Sequence, residues 1–83
     1  MRTFKINSKF SIICTSEGTR YGFRHLATLT VNGYGRDKAK ACYYNRTWER
    51  FEFESVISSL LHSSKETTGL TDRKIKNWLA KQH

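Results

Sequence analysis

YGFRHLATLTVNGYGRDKAKACYY, residues 21–44, carries two strands and the turn between them. From Tyr21 to Val31 the side chains alternate with a period of two. Phe23, His25, Ala27, Leu29 and Val31 fall on one face, and Arg24, Leu26, Thr28 and Thr30 on the other. Asn32-Gly33 follows, a pair that tolerates the positive φ angles of a tight hairpin. The next strand, about Asp37 to Tyr44, has two possible registers. A two-residue loop at Asn32-Gly33 would set Arg36 against Leu29 and Lys38 against Ala27, placing charge on the apolar face. A loop of odd length across Asn32 to Arg36, or a bulge near Gly35, instead pairs Leu29 with Ala39, Ala27 with Ala41 and His25 with Tyr43. The odd loop is the expected solution. It leaves Arg24, Thr28, Thr30, Lys38, Lys40 and Tyr44 on the opposite face.

Upstream, Phe10 to Thr15 is rich in apolar and β-branched residues and runs into Ser16-Glu17-Gly18-Thr19, a cluster of turn formers. A strand and then a loop are expected there. Downstream the period changes: Phe53, Val56, Ile57, Leu60 and Leu61 recur at intervals of three and four, which predicts a helix over about Trp48 to His62. Glu49, Glu52 and Glu54 then lie in its first turns, where the helix dipole favours carboxylates. Alternation from Glu49 to Phe53 leaves a fourth strand open as the other reading of that boundary. Residues 63–69 read as a polar linker. Thr71 is placed as the N-cap of a second helix, with Leu70 and Ile75 as a hydrophobic staple across it. The expected architecture is α+β: a three-stranded antiparallel sheet packed by one helix, plus a short basic C-terminal helix. One domain is expected over 1–83, with its β3α core at 10–62, the linker at 63–69 and the helix at 70–83.

A chain of 83 residues builds one modest core, burying roughly 60% of the surface it exposes when unfolded. No segment approaches the ~20 consecutive apolar residues of a membrane span, and residues 1–9 hold no run long enough for a secretory signal. A soluble protein of the bacterial or host-cell cytoplasm, with no membrane association, is the expectation. Cys14 and Cys42 are too few for a disulfide framework and are expected as free thiols. Fifteen Lys and Arg against seven Asp and Glu give a formal charge of +8. The charge is segmented: residues 1–22, 23–46, 47–64 and 65–83 carry +3, +4, −2 and +3. A positive field on the first half and the tail points to a polyanionic partner.

Catalysis needs a nucleophile with a base, a carboxylate pair or a metal cluster, and none occurs here at a diagnostic spacing. The three histidines and two cysteines match no zinc pattern, so no metal, cofactor or small-molecule substrate is expected and the chain does not read as an enzyme. His25, on the apolar face beside Tyr43, reads as a structural histidine. Gly33 and Gly35 are turn glycines, because no Gly-Lys-Ser/Thr completes a phosphate loop. The constellation that carries a function is the basic sheet face. Arg24, Arg36, Lys38 and Lys40 stand on neighbouring strands and can contact several phosphates, Thr28 and Thr30 add hydroxyls, and Tyr44 offers a ring. Arg46 follows in the loop, and Arg73, Lys74, Lys76 and Lys81 make the last helix positive. Nucleic acid, DNA ahead of RNA, is the expected partner. A host protein or nucleoprotein bound through exposed aromatics is the alternative.

The segment Cys42 to Val56, CYYNRTWERFEFESV, resembles a stretch of small uncharacterised bacteriophage and mobile-element proteins. That resemblance implies a phage or plasmid setting, with nucleic-acid transactions or inhibition of host defence, of the anti-CRISPR or anti-restriction type, as the roles. The tail Leu70 to Leu79, LTDRKIKNWL, looks like the start of a homeodomain recognition helix, although Lys81 stands where that family has its adenine-reading asparagine. The order of three strands and a helix is similar to the sheet-type DNA-binding domains of integrase N-termini and the plant AP2 family. Double-stranded-RNA-binding domains share that core but add an N-terminal helix, of which Met1 to Lys9 has no sign.

Overall fold

A computed structural model of the chain describes residues 2–82. The sheet has four antiparallel strands in the order β1-β2-β3-β4, a meander of β1 (Arg2–Lys5), β2 (Phe10–Thr19), β3 (Gly22–Val31) and β4 (Tyr34–Tyr43). The three-stranded expectation is therefore corrected by β1. This strand holds a single large apolar residue, Phe4, and exists because of distant partners. Phe4 packs on Phe53 with ring centroids 4.9 Å apart and on Trp78 at 6.5 Å, and the Trp78 indole N–H donates to the Lys5 carbonyl at 3.3 Å. The turn into β2 is closed by Asn7, whose Oδ1 accepts from the Lys9 and Phe10 N–H groups, both at 2.9 Å.

Ser16 to Thr19, expected as a loop, is instead the end of β2. Pairing with β3 continues to Thr19 opposite Gly22, and the turn is Arg20-Tyr21. At the next hairpin the structure uses two devices where one was expected. Asn32 and Gly33 form the two-residue turn, with φ of 54° and 87°, closing Val31 on Tyr34. Arg36 is then the extra residue of a bulge, since Leu29 pairs with Asp37 and Thr30 with Gly35. The expected odd loop, with Leu29 opposite Ala39, is thus replaced by pairs two residues away: Ala27 with Ala39, His25 with Ala41 and Phe23 with Tyr43. A shift of two preserves the faces, so the alanines still face inward and Lys38 and Lys40 outward.

Helix α1 (Arg50–Ser63) packs across β3 and β4 and buries Val56, Ile57, Leu60 and Leu61 with Phe53 half-buried beside them, the face read from the sequence. It starts two residues later than expected. Trp48 has left the helix to donate its indole N–H to Ser16 Oγ at 2.8 Å, and Glu52, buried in the first turn, accepts the Glu49 N–H at 2.8 Å. Residues 49–53 are consequently the helix start and not a strand. The segment expected as a linker contains one turn of helix, α2 (Lys65–Thr68), ended by Gly69 at a φ of 73°. Helix α3 (Asp72–Lys81) is capped by Thr71, whose side chain accepts the Lys74 N–H at 3.3 Å. It packs on α1 and buries Ile75 in the common core of Phe10, Ile12, Ala27, Leu29 and the α1 aliphatics. No helix among the described residues is long and apolar enough to cross a membrane.

Candidate nucleic-acid interface

All three helices follow the sheet in the chain, and α1 and α3 build their core against one face of it, the face of Phe10, Ile12, Ala27 and Leu29. Strand geometry sends the intervening residues to the other face, which carries no helix. Across β3 and β4 its paired positions are Thr28 with Lys38, Leu26 with Lys40 and Arg24 with Cys42. On β1 and β2 the same face takes Lys5 opposite Ser11 and Thr3 opposite Ile13, then Thr15 and Glu17. Four basic side chains, Lys5, Arg24, Lys38 and Lys40, thus share one surface with a single carboxylate. That carboxylate, Glu17, lies 3.9 Å from Arg24. Lys38 and Lys40 are exposed and enter none of the ion pairs among the described residues.

The residues expected at this surface separate into groups. Thr28 is half-buried, its methyl close over the bare backbone of Gly35, where an added Cβ would meet it at 3.3 Å. Thr30 is buried and its hydroxyl donates to the Ser11 carbonyl at 3.3 Å, which removes it as a donor to a ligand. Arg36 stands in the bulge 3.9 Å from Asp37. Tyr44, 91% exposed, follows the end of β4. Arg46 lies in the loop after β4 and lines a separate notch at the β1 edge with Arg2, Phe4 and Trp48. Arg73, Lys74, Lys76 and Lys81 are exposed on α3, in the helical layer behind the sheet. The sheet cluster and the tail cluster therefore occupy different sides of the molecule.

Two residues of this surface were not anticipated. Lys5 belongs to it only because β1 joins the sheet. Tyr21, 84% exposed, stands in the β2–β3 turn at the same end as Tyr44, whereas composition points to a turn at Ser16 to Thr19. Between the two tyrosines lies an open cavity of about 470 Å³ lined also by Gly22, Arg24, Cys42 and Tyr43.

The helix-covered face holds His25, fully buried between the rings of Trp48 at 4.6 Å and Tyr43 at 5.2 Å. Its Nδ1 is 2.9 Å from the Ser16 hydroxyl that accepts the Trp48 indole N–H. Nε2 is 3.7 Å from a Glu52 carboxylate oxygen and has no hydrogen bond among the described residues. Enclosed this way, the ring ties β2, β3 and the start of α1 together and presents no edge to solvent. At the far end of the helices, His62 and Lys65 both contact Asp72, the imidazole at 3.1 Å. The hydrogen bond from Lys65 holds the Asp72 carboxyl below its ordinary range, opposed by desolvation and aided by the Lys65 charge and by His62. This clasp joins the end of α1 to the start of α3. Among the described residues, no group of three His, Cys, Asp or Glu side chains is placed to hold a metal ion. Compared with protein-family models, curated proteins and solved structures, the chain matches none, so its reading rests on its own residues.

Proposed function

We propose that the protein binds nucleic acid, with DNA the expected form, by laying the sugar-phosphate backbone across the open face of its sheet. One observation carries the reading: a whole face of a four-stranded sheet stands clear of the helices and displays Lys5, Arg24, Lys38 and Lys40 against the one carboxylate of Glu17. Point charges of this kind supply affinity through counterion release and carry no sequence information. Ser11 and Thr28, partly exposed between the lysines, can donate to phosphate oxygens as well.

Binding measured across a range of salt concentrations tests this. Lys38→Gln combined with Lys40→Gln should weaken binding at every sequence tried. It should also lower the magnitude of the log–log salt slope by roughly one to two, given ~0.9 per phosphate contact on duplex DNA and ~0.7 on a single strand. Folding should survive, because exposed substitutions of this type usually stay within about 0.5 kcal/mol. A folded variant with unchanged affinity and slope would show the face to be merely solvated. Wild-type protein with no measurable binding at low salt would overturn the reading in favour of a protein partner.

A further inference from the structure

At one end of the open face, the turn between β2 and β3 comes beside the chain leaving β4. Tyr21 and Tyr44 line the cavity of about 470 Å³ there, together with Arg24 and Cys42. Both tyrosines are more than four-fifths exposed, whereas their neighbour Tyr43 packs against His25. The core thus employs one tyrosine of this group and leaves two exposed rings around a hollow, Tyr44 in water and Tyr21 with the Arg20 guanidinium 5.8 Å from its centroid, a flat cation that a base can displace. Gly22 lines the hollow and lets the β3 backbone come close to the end of β4. It has no side chain, and a Cβ there would lie 2.6 Å from the Tyr43 carbonyl oxygen. Arg24 brings a planar cation that is only loosely matched by Glu17 at 3.9 Å. From Tyr44, β4 runs back past Lys40 and Lys38, roughly 13 and 20 Å away at ~3.3 Å per residue. A ring-lined hollow therefore opens directly onto a basic track.

Resting on the nucleic-acid reading above, we propose that this cavity receives an unstacked base between Tyr21 and Tyr44, making single-stranded nucleic acid the substrate class. A duplex keeps the π-faces of its bases stacked inside and offers edges and phosphates alone. Exposed tyrosines gain from a flat base face that only an unpaired strand presents. The strand's phosphates then follow β4 over Lys40 and Lys38, and Arg24 lies beside the seated base.

The test uses an oligodeoxythymidylate of about twelve nucleotides, within the ~4–16 nucleotide range of small single-strand binders, and a duplex of equal length. Fluorescence anisotropy at one salt concentration compares them. The single strand should bind at least about tenfold tighter than the duplex. Tyr44→Ala and Tyr21→Ala should each weaken single-strand binding about tenfold while leaving duplex binding unchanged, and Tyr44→Phe should restore it, because stacking and not the hydroxyl is used. Both rings are exposed, so folding is retained and is checked by circular dichroism. Independently, the oligonucleotide should slow modification of Cys42, the exposed thiol inside the cavity, in wild-type protein. Equal or tighter duplex binding, or tyrosine variants with unchanged affinity and an unprotected Cys42, would overturn the base-seating proposal. Loss of binding in the Lys38→Gln, Lys40→Gln protein would in that event keep the sheet-face reading intact. Absence of binding to either probe would overturn both.

Discussion

Cys14 and Cys42 stand on opposite faces of the sheet, one beneath α1 and the other on the open surface, so no bridge between them is possible within the chain. Burial pushes the Cys14 thiol up from 9.0 to about 11, with Arg2, its partner across the β1–β2 register, partly opposing the shift. The folded protein should therefore offer one fast-reacting thiol, Cys42, and the second only on unfolding, as counted with a chromogenic thiol reagent. The raised value also sets a pH dependence. The folded state holds the Cys14 proton more tightly than the unfolded chain, so this contribution to stability is intact below about pH 9. It declines as the pH rises towards 11, by about 2 to 3 kcal/mol for a shift of this size. Because tyrosines and lysines titrate in the same range, the measurement is differential. The stability advantage of wild type over Cys14→Ala in urea unfolding should shrink between pH 8 and 11. An advantage constant across that range would show that the thiol ionises freely in the fold.

The β3 and β4 strands meet at Gly22, where the Tyr43 carbonyl oxygen comes too close for any side chain. Since that oxygen belongs to a paired strand and cannot swing aside, Gly22→Ala should destabilise the protein by about 1 to 3 kcal/mol in denaturant titrations, whereas Gly18→Ala, with open space around its Cβ, should change little. The same hairpin shows how far the sequence carries. The alternation of Lys38 and Lys40 with Ala39 and Ala41 sets which face is basic, and that face is where the structure has it. Alternation alone does not set the register, because a turn plus a bulge gives the same parity as an odd loop with every pair displaced by two. Other elements depended on contacts no local pattern contains. β1 is held through Phe4 by Phe53 and Trp78, some fifty and seventy positions away. Ser16 to Thr19 reads as a loop by composition, yet its pairing with β3 and the bonds from Ser16 to His25 and Trp48 keep it extended. Those bonds also draw Trp48 out of α1. The apolar stripe of α1 and the Thr71 cap of α3 were legible because each is a short-range pattern with a local physical cause. Of the candidate site, the lysines were legible for the same reason. Lys5 and Tyr21 were not, because both join the surface through strand pairing.

Two basic surfaces compete to explain the charge of the whole molecule: the open sheet face, and the outer side of α3 with Arg73, Lys74 and Lys76. The helices pack on the far side of the sheet, so one strand of nucleic acid lying on the face cannot touch α3 without wrapping around the protein. The molecule's shortest dimension is 19 Å, more than twice the Debye length of about 8 Å at physiological ionic strength. Charges on α3 are therefore largely screened from a ligand on the sheet under those conditions. Near 0.01 M salt, where the Debye length is about 30 Å, the field of α3 spans the protein and should contribute to capture. Replacing Arg73, Lys74 and Lys76 together with Gln should thus change affinity less than about twofold at physiological salt and weaken it measurably only at low salt. The Lys38→Gln, Lys40→Gln protein should be impaired at both. The comparison is made by anisotropy on the same oligonucleotide. An α3 variant that loses as much affinity at physiological salt as the sheet variant, with a comparable fall in salt slope, would mean that the helix touches phosphates directly and that the ligand wraps both layers.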